Sequence, residues 1–137
     1  MASVLTIYAK ESAVDTLFGG SGDPFIYMAV GSSESIPTEG SSALGSEHGA
    51  SENYSRINCI ATTKYTYSEG GLAKTVTIEG TFGTSNINPQ AGSPYHIKEV
   101  ALYNAETGGE AGLIFNVGDI EKDNTKQVKF AVEVIVV

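Results

Sequence analysis

The sequence predicts an all-β domain, mainly an antiparallel β-sandwich or flattened barrel, with one short N-terminal helix. Three observations carry this expectation. Apolar and polar residues alternate with a period of two over 55–67, 76–82 and 128–134, the mark of strands with one face in a core. Clusters of Gly, Pro, Asn and Ser punctuate these runs. A single short segment has helical spacing, and no repeat at a fixed period suggests a solenoid or propeller.

Lys10 to Phe18 is the helical segment: Ala13, Val14, Leu17 and Phe18 share a face, and Gly19-Gly20 ends it. Little more than two turns long, it must lean on the rest of the fold. Val4 to Tyr8 before it fits strand or helix. Phe25 to Val30 is a strand between Pro24 and Gly31. Gly31 to Asn53 is a long Ser/Gly/Glu loop, of a length that in a compact domain is usually functional or mobile. Ser55 to Tyr67 then alternates, with Ile57, Cys59, Ala61, Tyr65 and Tyr67 on one face and Arg56, Asn58, Thr62, Lys64 and Thr66 on the other. Ser68 to Gly71 reads as a hairpin turn. The next strand puts Val76, Ile78 and Phe82 inward against Thr75, Thr77, Glu79 and Thr81. A second loop, Thr84 to Pro94, carries Asn88-Pro89 and Ser93-Pro94. His96 to Tyr103 is a strand, 107–112 turns the chain, and Leu113 to Val117 follows. In the last strand Val128, Phe130, Val132 and Val134 oppose Lys129 and Glu133 before an apolar end, Val134 to Val137. Such an end is an aggregation hazard at an open edge, so it is expected to lie centrally in a sheet or under another subunit.

A chain of 137 residues fits one domain, 1–137, with an N-terminal segment over 1–23 and the sandwich over 24–137. No apolar run approaches the roughly 20 residues of a membrane span. Met1 to Lys10 lacks a basic stretch followed by an apolar core, so no signal peptide is expected and folding is expected in a cytoplasm. The net charge is −8 and the cations are scattered, which disfavours nucleic acid and anionic membranes as partners.

Residues suited to catalysis are few. Cys59 is the only cysteine, excluding an internal disulfide and a thiolate zinc site; in a strand pattern it reads as a buried, inert thiol. A Cys59–His96 thiol–imidazole pair is weighed against a core cysteine and a loop-edge histidine, and the latter is preferred. His48, beside Glu47 and Glu52, reads as solvated. Asp119, Glu121 and Asp123 alternate with a spacing that offers oxygens to a calcium ion, but without the glycine and terminal glutamate of an EF-hand they read as a solvated edge. No cofactor, metal or catalytic residue is expected, and the chain is not expected to be an enzyme. Glu99 carries more information. It shares a strand face with Ile97, Ala101 and Tyr103, so it is expected to point inward, bound to Arg56, the only arginine, or to backbone amides of the 31–53 loop; the competing reading leaves it exposed, with Val100 and Leu102 facing the core.

Taken in order, these residues resemble the tail-collar fibre domain and related small structural proteins of tailed phages. The resemblance runs from about Phe25 onward. It comprises an aromatic-rich strand ending in glycine (Phe25 to Gly31), a Ser/Thr/Pro loop, Leu44 and Glu47, then Arg56 opening a Thr-rich strand to Thr66. Gly80-Thr81-Phe82 follows, then Ile97, Glu99, Val100, Leu102 and Tyr103, and a closing strand. Ala101 stands where the pattern often has glycine, and with the domain running to Val137 no fibre shaft or receptor-binding tip is expected after it.

The resemblance implies a non-enzymatic virion structural protein, made in the host cytoplasm and stand-alone in the particle. A capsid-decorating or head-fibre-base role, bound to the major capsid protein, is preferred. A tail collar or baseplate adaptor that anchors a fibre protein is the alternative, followed by a receptor- or carbohydrate-binding β-sandwich, against which the absence of tryptophan counts. A homo-oligomer is expected, with a trimer favoured. Glu47, Arg56 and Glu99 are the expected structural network, and the 31–53 and 84–95 loops the docking segments. Tyr54, Tyr95, Tyr103, Leu44 and Val136 are the interface candidates, since tyrosine joins an apolar body to a polar tip.

Overall fold

The computed structural model describes residues 3–17, 20, 22, 24–68 and 71–136. Its elements are β1 (Ser3–Leu5), α1 (Ile7–Leu17), β2 (Tyr27–Gly31), a 3-10 turn (Ser51–Asn53), β3 (Ile57–Asn58), β4 (Ile60–Ser68), β5 (Gly71–Phe82), β6 (Tyr95–Tyr103), β7 (Ala111–Lys122) and β8 (Val128–Val136). The strands form two antiparallel sheets, a five-stranded one ordered β1-β7-β6-β2-β3 and a three-stranded one ordered β4-β5-β8. This is the mostly β, sandwich-like fold with a short N-terminal helix that the sequence predicts.

The sheets enclose one apolar cluster. Met28, Val30, Val100 and Leu102 come from the larger sheet, Ile78, Phe82 and Val132 from the smaller, and Ile87 from the loop before β6. Each such side chain contributes about 1.5–3 kcal/mol by leaving water. The larger sheet is covered on its other face too. There Ala29, Ala101, Tyr103, Ala111 and Ile114 meet Leu44 of the long loop. Three of these are alanines, which lets the loop backbone come close. Burial on both faces explains why β2 and the second half of β6 are continuous apolar runs. β8 and the second half of β5 keep the alternation of one wet and one dry face.

Several boundaries differ from expectation. The helix starts at Ile7 rather than Lys10, because Ser3–Leu5 pairs with β7 and Thr6 is buried between the two elements. The Thr6 hydroxyl donates to the Ala111 carbonyl at 2.6 Å and its N–H to Gly112 at 2.9 Å. On the expected helix face Ala13 is exposed; the side chains of Val14, Leu17 and Phe18 lie outside the described residues.

The segment 55–67 is two strands rather than one. It breaks at Cys59, whose N–H donates to the Ile26 carbonyl at 2.8 Å. β3 stays beside β2 while β4 crosses to the smaller sheet, so Ala61 is exposed although Cys59, expected on the same face, is buried. Ser68 pairs with Gly71, and the turn residues between them lie outside the described set, as do the side chains of Tyr65 and Tyr67. β7 is longer than expected, and its pairing with β6 is irregular between Ile97 and Glu99. Ile97 therefore packs in the inter-sheet cluster although Glu99, Ala101 and Tyr103 serve the loop-covered face. β8 is an edge strand and not central: among the described residues its ladder is with β5 alone.

Candidate functional site

The site forms where the long loop folds back over the end of β2. The backbone of 46–48 runs antiparallel to 30–32: His48 N–H donates to Val30 at 2.9 Å and Ser32 N–H to Ser46 at 3.0 Å. From this short ladder the loop side chains and amides reach two carboxylates.

Glu99 is the first and is 2% exposed. One carboxylate oxygen accepts the N–H groups of Ser33 (3.0 Å) and Ser46 (2.8 Å), and the other that of Gly45 (2.8 Å). A buried carboxylate thus finds its partners in three backbone amides, the second of the two arrangements expected for it, and Arg56 is not its partner. Gly31 makes the approach possible, since a Cβ there would strike the Glu99 carboxylate and the Ser46 carbonyl.

Glu47 is the second carboxylate and takes Arg56 in a bidentate pair, Nε to Oε2 at 2.9 Å and Nη2 to Oε1 at 2.8 Å. Arg56 Nη1 donates to the carbonyls of Ala105 (2.8 Å) and Gly108 (2.7 Å), and the guanidinium lies 3.6 Å above the Tyr103 ring. The planar fork suits this work: one side clasps the carboxylate, the other ties down the β6–β7 turn, and the flat face stacks. Tyr54 adds its hydroxyl, donating to Glu47 Oε2 at 2.7 Å. Burial works to raise the Glu47 pKa. The hydrogen bonds from Arg56 and Tyr54, with the charge of Arg56, outweigh it and hold the carboxyl below its usual range. Burial, with Glu47 beside it, pushes the Tyr54 phenol up.

The expected single network is therefore two adjoining ones. Consecutive residues divide the work: the Ser46 amide faces Glu99 while the Glu47 side chain faces Arg56. Two expected interface residues are corrected. Leu44 is 7% exposed and Tyr103 2%, and Leu44 N–H donates to the Tyr103 hydroxyl at 2.8 Å, so both are spent inside the chain. Tyr54 and Tyr95 are half-buried. Val136 is far from this site, paired through its backbone with Lys74, and its side chain lies outside the described residues.

Other residues belong here that the sequence did not single out for it. His48 is not solvated: its side chain is 8% exposed, its ring centroid 4.0 Å from that of Tyr95 and 5.2 Å from that of Tyr54. Its Nε2 lies 3.0 Å from Glu52 Oε2, and burial holds the imidazole below its usual pKa against the pull of that carboxylate. The second loop joins the first through backbone and amide groups. Asn88 N–H donates to the Glu52 carbonyl (3.0 Å), and Asn86 exchanges bonds of 3.3 and 3.2 Å with the Ser55 backbone. Ile87 sits at φ 55°, a left-handed conformation costly for a β-branched residue. It is held there by complete burial of its side chain and by Lys122, whose buried ammonium donates to the Ile87 and Asp123 carbonyls, each at 2.9 Å. Burial pushes the Lys122 pKa down, with Asp123 opposing. A sequence signal for Lys122 existed: it follows Ile120 by two along β7, on the same side of the strand.

The three alternating acids separate. Asp119 pairs with His96 Nδ1 at 2.7 Å and Glu121 faces Lys126 at 3.8 Å. Asp123 is buried rather than solvated and accepts the Thr125 N–H at 2.8 Å. Cys59 donates to the Ile57 carbonyl at 3.5 Å, and burial raises its pKa, so thiol and imidazole have different partners. A cleft of about 310 Å³ opens beside the Glu47–Arg56 pair, lined also by His48, Tyr54 and Glu106. Arg56 has committed four hydrogen bonds to the chain itself, so the cleft presents structure rather than a free cation. The chain matches no known family, no curated protein and no solved structure.

Proposed function

We propose that this chain is a non-enzymatic structural protein of a tailed-phage virion that docks on other virion subunits, the major capsid protein first among them, through its 31–53 and 84–95 loops. One observation carries the reading. The two long loops are joined by the Asn88 N–H bond to the Glu52 carbonyl and are locked to the rest of the chain by Glu99, the Glu47–Arg56 pair, Asn86 and Lys122. Loops held this way have already lost the freedom that docking would otherwise cost, which favours tight binding to a fixed partner. The first loop also displays Ile36, 78% exposed, as an apolar anchor. The resemblance of the motif order, Phe25 to Tyr103, to tail-collar fibre domains supports the same reading. The groups best suited to chemistry, Arg56, Glu47 and Cys59, are engaged in holding the fold.

Cryo-electron microscopy of the intact particle, with this protein labelled, tests the proposal. Density on the capsid lattice is expected. Density at the collar or baseplate would replace the capsid role with that of a fibre adaptor, and absence from the particle would overturn the virion reading. Ile36→Asp is expected to abolish incorporation while leaving the melting temperature unchanged.

A further inference from the structure

Among the described residues the smaller sheet has three strands against five in the larger, and β8 is its edge. Beneath and beside that edge, a cleft of about 200 Å³ is lined by Val100, Phe115 and Val117 of the larger sheet and by Phe130 and Val132 of β8. Phe130 and Val134, which face the core, are only half-buried, as are Phe115 and Val117 opposite them. The outer face of β8 carries Lys129, Ala131 and Glu133, all exposed; Lys129 Nζ lies 3.2 Å from Glu79 Oε2 of β5 in an exposed pair that leaves the other ammonium protons free, while Glu133 has no cation within its own chain among the described residues. No proline or glycine interrupts the nine residues of β8. A long, regular, uncovered edge above apolar surface is a template for another strand.

We propose that β8 is a self-docking edge: two copies of this chain pair β8 with β8, antiparallel about Ala131, and join their smaller sheets into one of six strands. The charge pattern selects this occupant. Centred on Ala131, the pairing sets Lys129 of each copy opposite Glu133 of the other on the wet face. The apolar Val128, Phe130, Val132 and Val134 then oppose one another on the dry face. A strand whose opposite charges sit at equal distances from its centre is complementary to itself, which is the requirement of a two-fold contact. A trimer, favoured from the sequence, would need β8 to meet a different surface. The contact rests on β8 and not on the virion reading.

Analytical ultracentrifugation of the full chain tests it. The native protein is expected to sediment as a dimer at micromolar concentration. K129E sets two carboxylates opposite each other at both ends of the contact, and E133K sets two ammonium groups there. Each variant is expected to weaken dimerisation about tenfold or more, since both cross-strand charge pairs turn from attraction to repulsion together. Mixed one to one, the two variants regain complementary charges and are expected to form a heterodimer, which also shows that both remain folded. A native chain that stays monomeric, or a dimer that neither variant weakens, would overturn the proposal.

Discussion

Glu99 shows how one buried charge organises its surroundings. A carboxylate 2% exposed is tolerable because three amides of the long loop point at it, and those amides in turn have no better acceptor. Glu99→Ala leaves them without it and is expected to cost about 3–5 kcal/mol, read as a lower urea midpoint with an unchanged slope. Glu99→Gln keeps one acceptor oxygen and should fall between; a midpoint unmoved by either variant would contradict the role. Gly31→Ala is expected to match Glu99→Ala in effect, because the new methyl occupies the space of the carboxylate. His48 gives a pH dependence of definite sign. Its folded pKa lies below 6.5, so the unfolded chain takes up a proton first as pH falls. The stability it contributes is complete above 6.5 and is lost as pH drops through the folded value. Comparing urea midpoints at about pH 7.5 and about pH 5.5 should show a fall in the native protein that His48→Gln reduces.

Among the elements, the 84–95 loop is held from below. Ile87 keeps a left-handed backbone only while its side chain stays in the core and its carbonyl stays on Lys122. Lys122→Met retains the length and apolar body of the side chain but removes the donor from two carbonyls. It is expected to destabilise by about 1–3 kcal/mol and to raise hydrogen exchange at Asn88 and Asn124, whose amides bond across the loop base. Exchange that rises evenly over the whole chain would mean that Lys122 serves global stability and not this loop. The break at Cys59 acts at the same scale. The ladder of β3 with β2, extended by the Cys59–Ile26 hydrogen bond, holds this segment to the larger sheet, and the next residues cross to the smaller. A period-two pattern running through 55–67 does not announce such a crossing, because the alternation persists while the sheet that supplies the core changes.

For the molecule as a whole, the layers set an order of protection. β6 has a strand on each side, the smaller sheet on one face and the long loop on the other. β4 is an edge of the smaller sheet, and Ile60 at its start is 75% exposed. Native-state hydrogen exchange is expected to be slowest at Val100, Ala101 and Leu102 and fastest, among strand amides, in β4. Equal protection of the two strands would mean that the layers open only together.

Alternation, turn residues and an acid within an apolar strand are local signals, and they made the fold class, the alternating faces of β5 and β8, the two long loops and the inward position of Glu99 legible from the chain alone. The partner of each acid was decided by the tertiary structure. Glu99 and Glu47 lie 52 positions apart in the chain, and only the return of the loop across β2 puts amides beside one and the single arginine beside the other. The same holds for Leu44 and Tyr103, whose apolar and aromatic character fitted a partner's surface as well as their own core. Which surface they met depended on three alanines leaving room for the loop. It holds again for β8, where the sequence supplied the alternation and the topology decided that one of its edges stays open. Local pattern records which face of an element is dry; what covers that face is set by contacts between residues distant in the chain, and no short stretch of sequence encodes them.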